Sequence, residues 1–446
     1  MQDQETQTSP LLRALCRLPG FTLFFLMLFV PSAYQPIKAV LLLLVLLTIV
    51  LPLLWGRRLA LHPKIALITL IMVLTGICFV SYGLISANPG ALRVSTVYIL
   101  WPIFFTLFVA GVARMELITS LLKLLVMAGL AVSLYALSFV LHSRGLLPSY
   151  LYIELDQSQR VGFYEGFSKL NLASLATLMF VVPFLLATLI VWPKELNPPI
   201  SRFWQWVAVS FGLLILLLSG RRAMWIVVAS APVVVMVYRC FLARSFRDAS
   251  RKTATRALLG LVAILLSTYG YLKIAYDFDI SAVYAELEAG FEFTSEANES
   301  PFARQQQFYS MLGDWSTRPL VGLGHGAVSR YSIRNEESPW AYELSYLALL
   351  FHTGIVGLTI YVSGIIWIYI QGIRMMRSGD KLGLFIFPLL VGNTCFLIAN
   401  ATNPYLETYD HIWVVFFPIA LINLWLLQRD YPAEFPPAPI AESIVP

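Results

Sequence analysis

The sequence predicts an all-α polytopic membrane protein of about twelve transmembrane helices, with one large extramembrane loop between the ninth and the tenth. Three observations carry this reading. Hydrophobic residues make up 58% of the 446 and charged residues only 13%, roughly half the charged share of a soluble domain, about 25%. Apolar runs recur along the whole chain, most of them near the roughly 20 residues that a spanning helix needs. Lysine and arginine gather in alternate connecting segments, the pattern expected when cytoplasmic loops collect positive charge. A soluble globular enzyme, a disordered chain and a fibrous repeat are excluded on composition alone.

Twelve apolar stretches follow one another at about 21–36, 37–54, 65–86, 94–113, 117–141, 170–192, 203–219, 222–241, 256–276, 341–371, 382–400 and 410–428. Pro31 and Pro36 in PSAYQP separate the first two by a turn or kink. The polar, weakly basic N-terminus lacks a small-residue cleavage site, so the first run reads as an uncleaved span. Residues 1–276 hold spans one to nine, 277–340 the large loop, 341–428 spans ten to twelve, and 429–446 a Pro-rich tail that reads as disordered. No internal repeat is visible.

With the N-terminus in the cytoplasm, most of the 31 lysines and arginines fall in short cytoplasmic loops, where the charge rule has force. The 277–340 loop then faces outward, and the tail is cytoplasmic. The loop opens acidic, with Asp277, Asp279, Glu286, Glu288, Glu292, Glu296 and Glu299, and then turns mixed. Within it, FARQQQFYSMLGDW (302–315) spaces Phe302, Phe308, Met311, Leu312 and Trp315 as an amphipathic helix. That helix lies on the membrane surface or caps a cavity, and Pro319 and the glycines of GLGHG end it. A second outer loop, 142–169, carries Glu154, Asp156, Arg160 and Glu165.

The net charge of +6 is topological, and no nucleic-acid partner is expected. Cys16, Cys78, Cys240 and Cys395 lie in or beside apolar runs and read as small hydrophobes. No HExxH, GxSxG or metal-ligand cluster occurs, so neither a metal nor a cofactor is expected.

The candidate site residues cluster at the outer boundary. SGRRAMW (219–225) places Arg221 and Arg222 where the charge rule opposes them. They either snorkel to headgroups or form an anion site, since a guanidinium fork matches phosphate oxygens. RPLVGLGHG (318–326) offers Arg318, a glycine turn and His325, a candidate proton carrier. As a phosphate loop it lacks the Lys-Ser/Thr of a P-loop. Glu343 sits about one turn into the apolar run of span ten, where a carboxylate is expensive unless it meets a partner or a wet cavity. His352, deeper in that run, reads as a packing residue. NATNPYLETYDH (400–411) brings Asn403, Tyr405, Glu407 and Asp410 into an outer turn that could line a sugar site or simply be solvated.

SGRRA before a span, an Arg-containing helix leading into PLVGLGHG (Arg304 through Gly326) and the opening ELSYLALLFHTGIVGL together resemble the bacterial O-antigen polymerase and O-antigen ligase family. As architecture the resemblance covers most of the chain. As motif it covers about 60 residues, from the three segments named. It implies a GT-C-like fold and a metal-independent glycosyltransferase. The donor would be undecaprenyl-diphosphate-linked oligosaccharide, and the acceptor a second lipid-linked repeat. By position, Arg221, Arg222 and Arg304 match the arginines that hold the diphosphate; Arg318 and Tyr405 are added as substrate-binding candidates from their own segments. Glu343 or His325 would take the acceptor proton. Ligases of the family show His-Asn at the opening of span ten, and this chain has Glu343-Leu344, which favours a polymerase. In the ligase alternative the acceptor is lipid A core. Membrane lipids are expected partners, and a chain-length regulator is left open. The expected location is the bacterial inner membrane with a periplasmic active site. A transporter is the rival class; against it stand the missing repeat and polar residues gathered at one boundary.

Overall fold

The computed structural model describes residues 10–54, 56, 58–155, 160–164, 167–192, 199–276, 281, 299–330 and 338–436. The acidic opening of the large loop from Asp277 to Glu296, together with Arg57, Asp156, Glu165, Lys194, Arg334 and the tail beyond 436, lies outside them.

Helices account for most of the described residues. In order they are α1 (Pro10–Phe29), α2 (Gln35–Leu54), α3 (Pro63–Ile85), α4 (Ala91–Ser95), a π-helical turn (Thr96–Leu100) and α5 (Trp101–Gly111). Then come α6 (Met115–Ser143), α7 (Leu175–Val191), α8 (Arg202–Leu218), α9 (Arg222–Arg239), α10 (Arg244–Ala249) and α11 (Arg251–Tyr276). The last four are α12 (Glu299–Trp315), α13 (Ser345–Arg377), α14 (Leu382–Asn400) and α15 (Trp413–Asp430). Among the described residues nine helices are long and apolar enough to cross a membrane, with Ala91–Gly111 taken as one. Three shorter apolar helices, Arg17–Phe29, Leu175–Val191 and Arg202–Leu218, occupy the other three predicted positions.

The mostly helical fold agrees with the all-α expectation, and two details need correction. One hairpin is present, β1 (Arg160–Tyr164) paired antiparallel with β2 (Phe167–Asn171). This hairpin takes Leu170 and Asn171 out of the predicted sixth span, which begins at Leu175 instead. Glu343 does not lie inside span ten. α13 starts at Ser345 behind an N-cap at Leu344, so the carboxylate precedes the helix and escapes the cost of the apolar run.

The connecting segments sort into two ends. At one end the Ser32 N–H donates to Asp410 Oδ2 at 3.0 Å, joining the α1–α2 turn to the α14–α15 turn. At the same end the Leu170 N–H donates to Ser219 O at 2.9 Å, joining the hairpin to the SGRR turn. At the other end Asn423 Nδ2 donates to Ala60 O at 2.8 Å, Trp192 Nε1 donates to Leu384 O at 2.8 Å, and the Ala243 N–H donates to Met376 O at 3.1 Å. Segments that the charge pattern assigns to one side therefore meet one another.

The centre is α7 against α14. Every residue of α7 is buried, as is nearly every residue of α14. A helix apolar on all sides belongs in such a core. Gly392 lets the pair approach, since a Cβ there would lie 2.9 Å from Phe180 O. Small residues at helix contacts serve this purpose in membranes. Further out, Tyr369 donates to Asn393 Oδ1 at 2.6 Å, and Asn393 Nδ2 donates to Val414 O at 2.9 Å, tying α13, α14 and α15 together.

The GLGHG segment is a wedge. α13 breaks at Gly354 (φ 62°, ψ −169°), which would orphan backbone groups on either side. The wedge satisfies them. The Leu323 N–H donates to Phe351 O at 3.0 Å, and the Gly324 N–H to His352 O at 2.8 Å. In return the Ile355 and Val356 N–H groups donate to Pro319 O and Leu320 O at 3.0 and 3.1 Å. On the α3 side the His325 N–H donates to Phe79 O at 3.1 Å, and Asn88 Nδ2 donates to Leu323 O at 2.9 Å. Gly326 has φ +74°, and a Cβ there would lie 2.1 Å from Ala91 N. Gly326→Ala is therefore expected to add a left-handed backbone cost of about 1–2 kcal/mol to an overpacking cost of about 1–3 kcal/mol. A clear fall in thermal unfolding temperature in detergent would show it; an unchanged temperature would refute the wedge.

Candidate functional site

The SGRR turn is built for a cation facing the hairpin. Gly220 adopts φ 63°, which reverses the chain between α8 and α9. Arg221 is the extended N-cap of α9. Its Nε donates to Leu170 O at 3.0 Å, and a terminal nitrogen bonds Asn171 Oδ1. Backbone and side-chain oxygens of β2 thus aim the guanidinium. Arg222 opens α9, half-buried.

A second cation comes from α12. Arg304 Nε donates to Glu343 Oε2 at 2.7 Å, with side chains 27% and 24% exposed. The buried Gln307, one turn further along α12, accepts the Glu343 N–H at 3.2 Å. Arg304 and Gln307 together grip the residue ahead of α13.

Tyr405 ties these groups into one site. It lies in the short 3₁₀ turn Tyr405–Glu407 between α14 and α15. Its hydroxyl is buried, with the Arg221 guanidinium as its polar neighbour. Burial pushes its pKa up, the Arg221 and Arg304 guanidinium groups pull it down, and the Glu343 carboxylate raises it again. Two arginines, a carboxylate and a phenol from four separate chain segments therefore share one environment. Carboxylates and cations placed round a buried hydroxyl mark a functional-site candidate.

The remaining predicted residues lie apart from it. Arg318 is exposed and bonds the Tyr82 hydroxyl. His325 is fully buried in the wedge. Its ring stacks on Tyr98 at 4.1 Å, lies 5.8 Å from the His352 ring and 6.5 Å from Tyr361. Neither ring nitrogen has a hydrogen-bond partner among the described residues. Burial, reinforced by His352, holds its pKa well below the ordinary histidine value. His352 packs within the bundle, its Nε2 3.2 Å from Ala327 O.

Sequence reasoning missed Gln307, which looks like an ordinary solvent residue in FARQQQF. It also missed Tyr98, hidden in an apolar run. The π-turn that carries Tyr98 has no simple sequence signal, although such turns often sit at functional sites.

Glu407 adds a titratable group. Burial pushes its pKa up to about 7, and it acts electrostatically on Tyr98. A carboxyl raised above its unfolded value favours the folded state when neutral. That contribution is full below the unfolded value and is lost as pH rises through about 7. Thermal stability is expected to fall between about pH 4.5 and 7, and Glu407→Gln to flatten that part of the profile. A profile unchanged by the substitution would refute the buried carboxyl.

A scan against protein-family models returns no match to this chain, and no curated protein matches its sequence. The fold itself sets the class: a mostly helical, multi-pass membrane protein. Its polar side-chain cluster stands at one end of the bundle.

Proposed function

We propose that the protein is a metal-independent glycosyltransferase acting on polyprenyl-diphosphate-linked glycan at the periplasmic face of the bacterial inner membrane. The particular reading is polymerisation of O-antigen or a related surface polysaccharide. The observation that carries it is the buried Tyr405 hydroxyl, which feels the charges of Arg221, Arg304 and Glu343. Two guanidinium groups that both act on Tyr405 suit a diphosphate, which guanidinium forks bind through paired hydrogen bonds. The nine long and three shorter apolar helices among the described residues suit a GT-C-like arrangement.

In this mechanism the lipid diphosphate enters between Arg221 and Arg304, and Tyr405 donates to a phosphate oxygen. The diphosphate competes with Glu343 for Arg304. Glu343, released from its 2.7 Å pairing, accepts the proton of the acceptor sugar hydroxyl. The acceptor oxygen bonds to the donor's anomeric carbon. The bond from that carbon to the phosphate oxygen breaks, and both arginines stabilise the charge on the departing undecaprenyl diphosphate. Arg222 and Arg318 stand as outlying contacts. His325, enclosed in the wedge, leaves the proton role to Glu343.

The acceptor is a second lipid-linked repeat unit, so the chain grows by one block per cycle. Glu343-Leu344 in place of His-Asn favours this over ligation to lipid A core. A surface-polysaccharide gel of a deletion strain tests it. Single repeats on lipopolysaccharide support a polymerase, none at all support a ligase, and a wild-type ladder sinks both. Turnover of lipid-linked glycan by purified protein in detergent, with no sealed compartment, separates the enzyme from a transporter.

A further inference from the structure

We propose that the exposed strip of α12 beside Arg304 is a saccharide-binding platform, made by Phe308 and Tyr309 with Gln305 and Gln306. The proposal rests on the transferase reading and names where the glycan, as distinct from its diphosphate, is held.

α12 has two unlike faces. Gln307, Ser310 and Met311 are buried, and Asp314 Oδ2 accepts from Ser329 Oγ at 3.0 Å. This face is fully used in docking. On the other face Phe308 is 43% exposed and Tyr309 64%. Their rings meet edge-to-face at 5.5 Å and 82°, which forms an open corner of two aromatic planes. Helix periodicity fixes what lies next to that corner. Residues four apart are neighbours on the surface, so Phe308 sits one turn from Arg304 at the edge of the docked face. Gln305 and Tyr309, also four apart, lie further round the exposed face. The strip therefore runs outward from the guanidinium that takes the diphosphate.

The chemistry of the strip selects its occupant. A helix resting on lipid presents a broad aliphatic face, with basic residues along the polar side. Here the two rings are flanked by two amides, and Gly313 and Ser316 follow on the exposed side. Aromatic faces pack against the C–H faces of a pyranose, and side-chain amides supply both a donor and an acceptor for its hydroxyls. An aromatic body with a polar tip, as in Tyr309, suits a surface that is half apolar and half wet. A sugar chain extending from an Arg304-bound diphosphate has this corner one helical turn away, and its mix of rings and amides suits a glycan better than a lipid tail.

The test uses the full chain in lipid nanodiscs. The probe is the repeat oligosaccharide released by mild acid from the host's own lipid-linked repeat units, with binding read by calorimetry. Phe308→Ala with Tyr309→Ala is expected to weaken binding about 10-fold, the size of two aromatic contacts. Tyr309→Trp should retain binding. Binding that survives the double alanine variant overturns the platform, and so does a double variant that loses only its ability to insert into liposomes, since the strip is then a lipid contact. Wild-type protein that turns over lipid-linked donor without binding the probe also overturns the platform while sparing the transferase reading. Protein that does neither overturns both.

Discussion

Lys38→Ala is expected to destabilise the protein by about 3–5 kcal/mol, the usual effect of removing one partner of a buried ion pair. Lys38 is 1% exposed. Its ammonium donates to Asp410 Oδ1 at 2.6 Å and to Val30 O at 2.8 Å. Asp410 is equally buried and also accepts from the Ser32 N–H and from Gln35 Nε2 at 3.0 and 3.1 Å. This network fastens the α1–α2 turn to the turn that carries Tyr405 and Glu407. Deleting the ammonium strands a carboxylate in a dry setting. A Lys38→Met, Asp410→Asn pair removes both charges and keeps an acceptor for Ser32, so it should recover most of the loss. Thermal unfolding in detergent measures all three proteins. If the single and double variants unfold at the same temperature, stranded charge is not the cause.

Arg304→Ala is expected to reduce glycan transfer by about 10²–10³-fold, the scale seen when one donor to developing charge is removed. Its effect on stability should be small, because partly exposed pairs contribute about 0–1 kcal/mol and this pair is 27% and 24% exposed. Lysine at the position keeps the charge and loses the fork, so an intermediate rate is expected. Glu343→Gln keeps a polar contact to Arg304 but cannot accept the acceptor proton. It should cut turnover without weakening donor binding. Turnover of lipid-linked glycan in detergent, beside unfolding temperature, separates these roles. Full activity in Arg304→Ala would falsify the proposed diphosphate site.

The helices were legible because the bilayer demands long apolar runs, and such runs leave a strong mark in composition. The alternation of segments between two ends was legible for a related reason, since charge is costly to move across a membrane and marks each loop. α12 could be read from its 3.6-residue spacing. Arg221 and Glu343 stood out because charge at an apolar boundary is costly without a purpose, whereas Arg304 was singled out only by the resemblance of its loop helix. Their meeting at Tyr405 was not legible. It depends on segments more than 180 residues apart being set side by side, from Arg221 to Tyr405. The wedge was half legible. Its glycines announced a tight backbone, but the break in α13 at Gly354 that it repairs has no local signature beyond one more glycine.

By itself, then, the sequence determined that this chain is a helical membrane protein and which of its charged groups stand at a boundary, because transfer from water to hydrocarbon acts on each residue one at a time. Only the tertiary structure decided which of those groups face one another. It paired Glu343 with Arg304, sealed His325 behind Tyr98 and brought Tyr405 under the influence of two arginines. Side-chain contacts at a few ångströms depend on how helices pack, and packing is a property of the whole bundle.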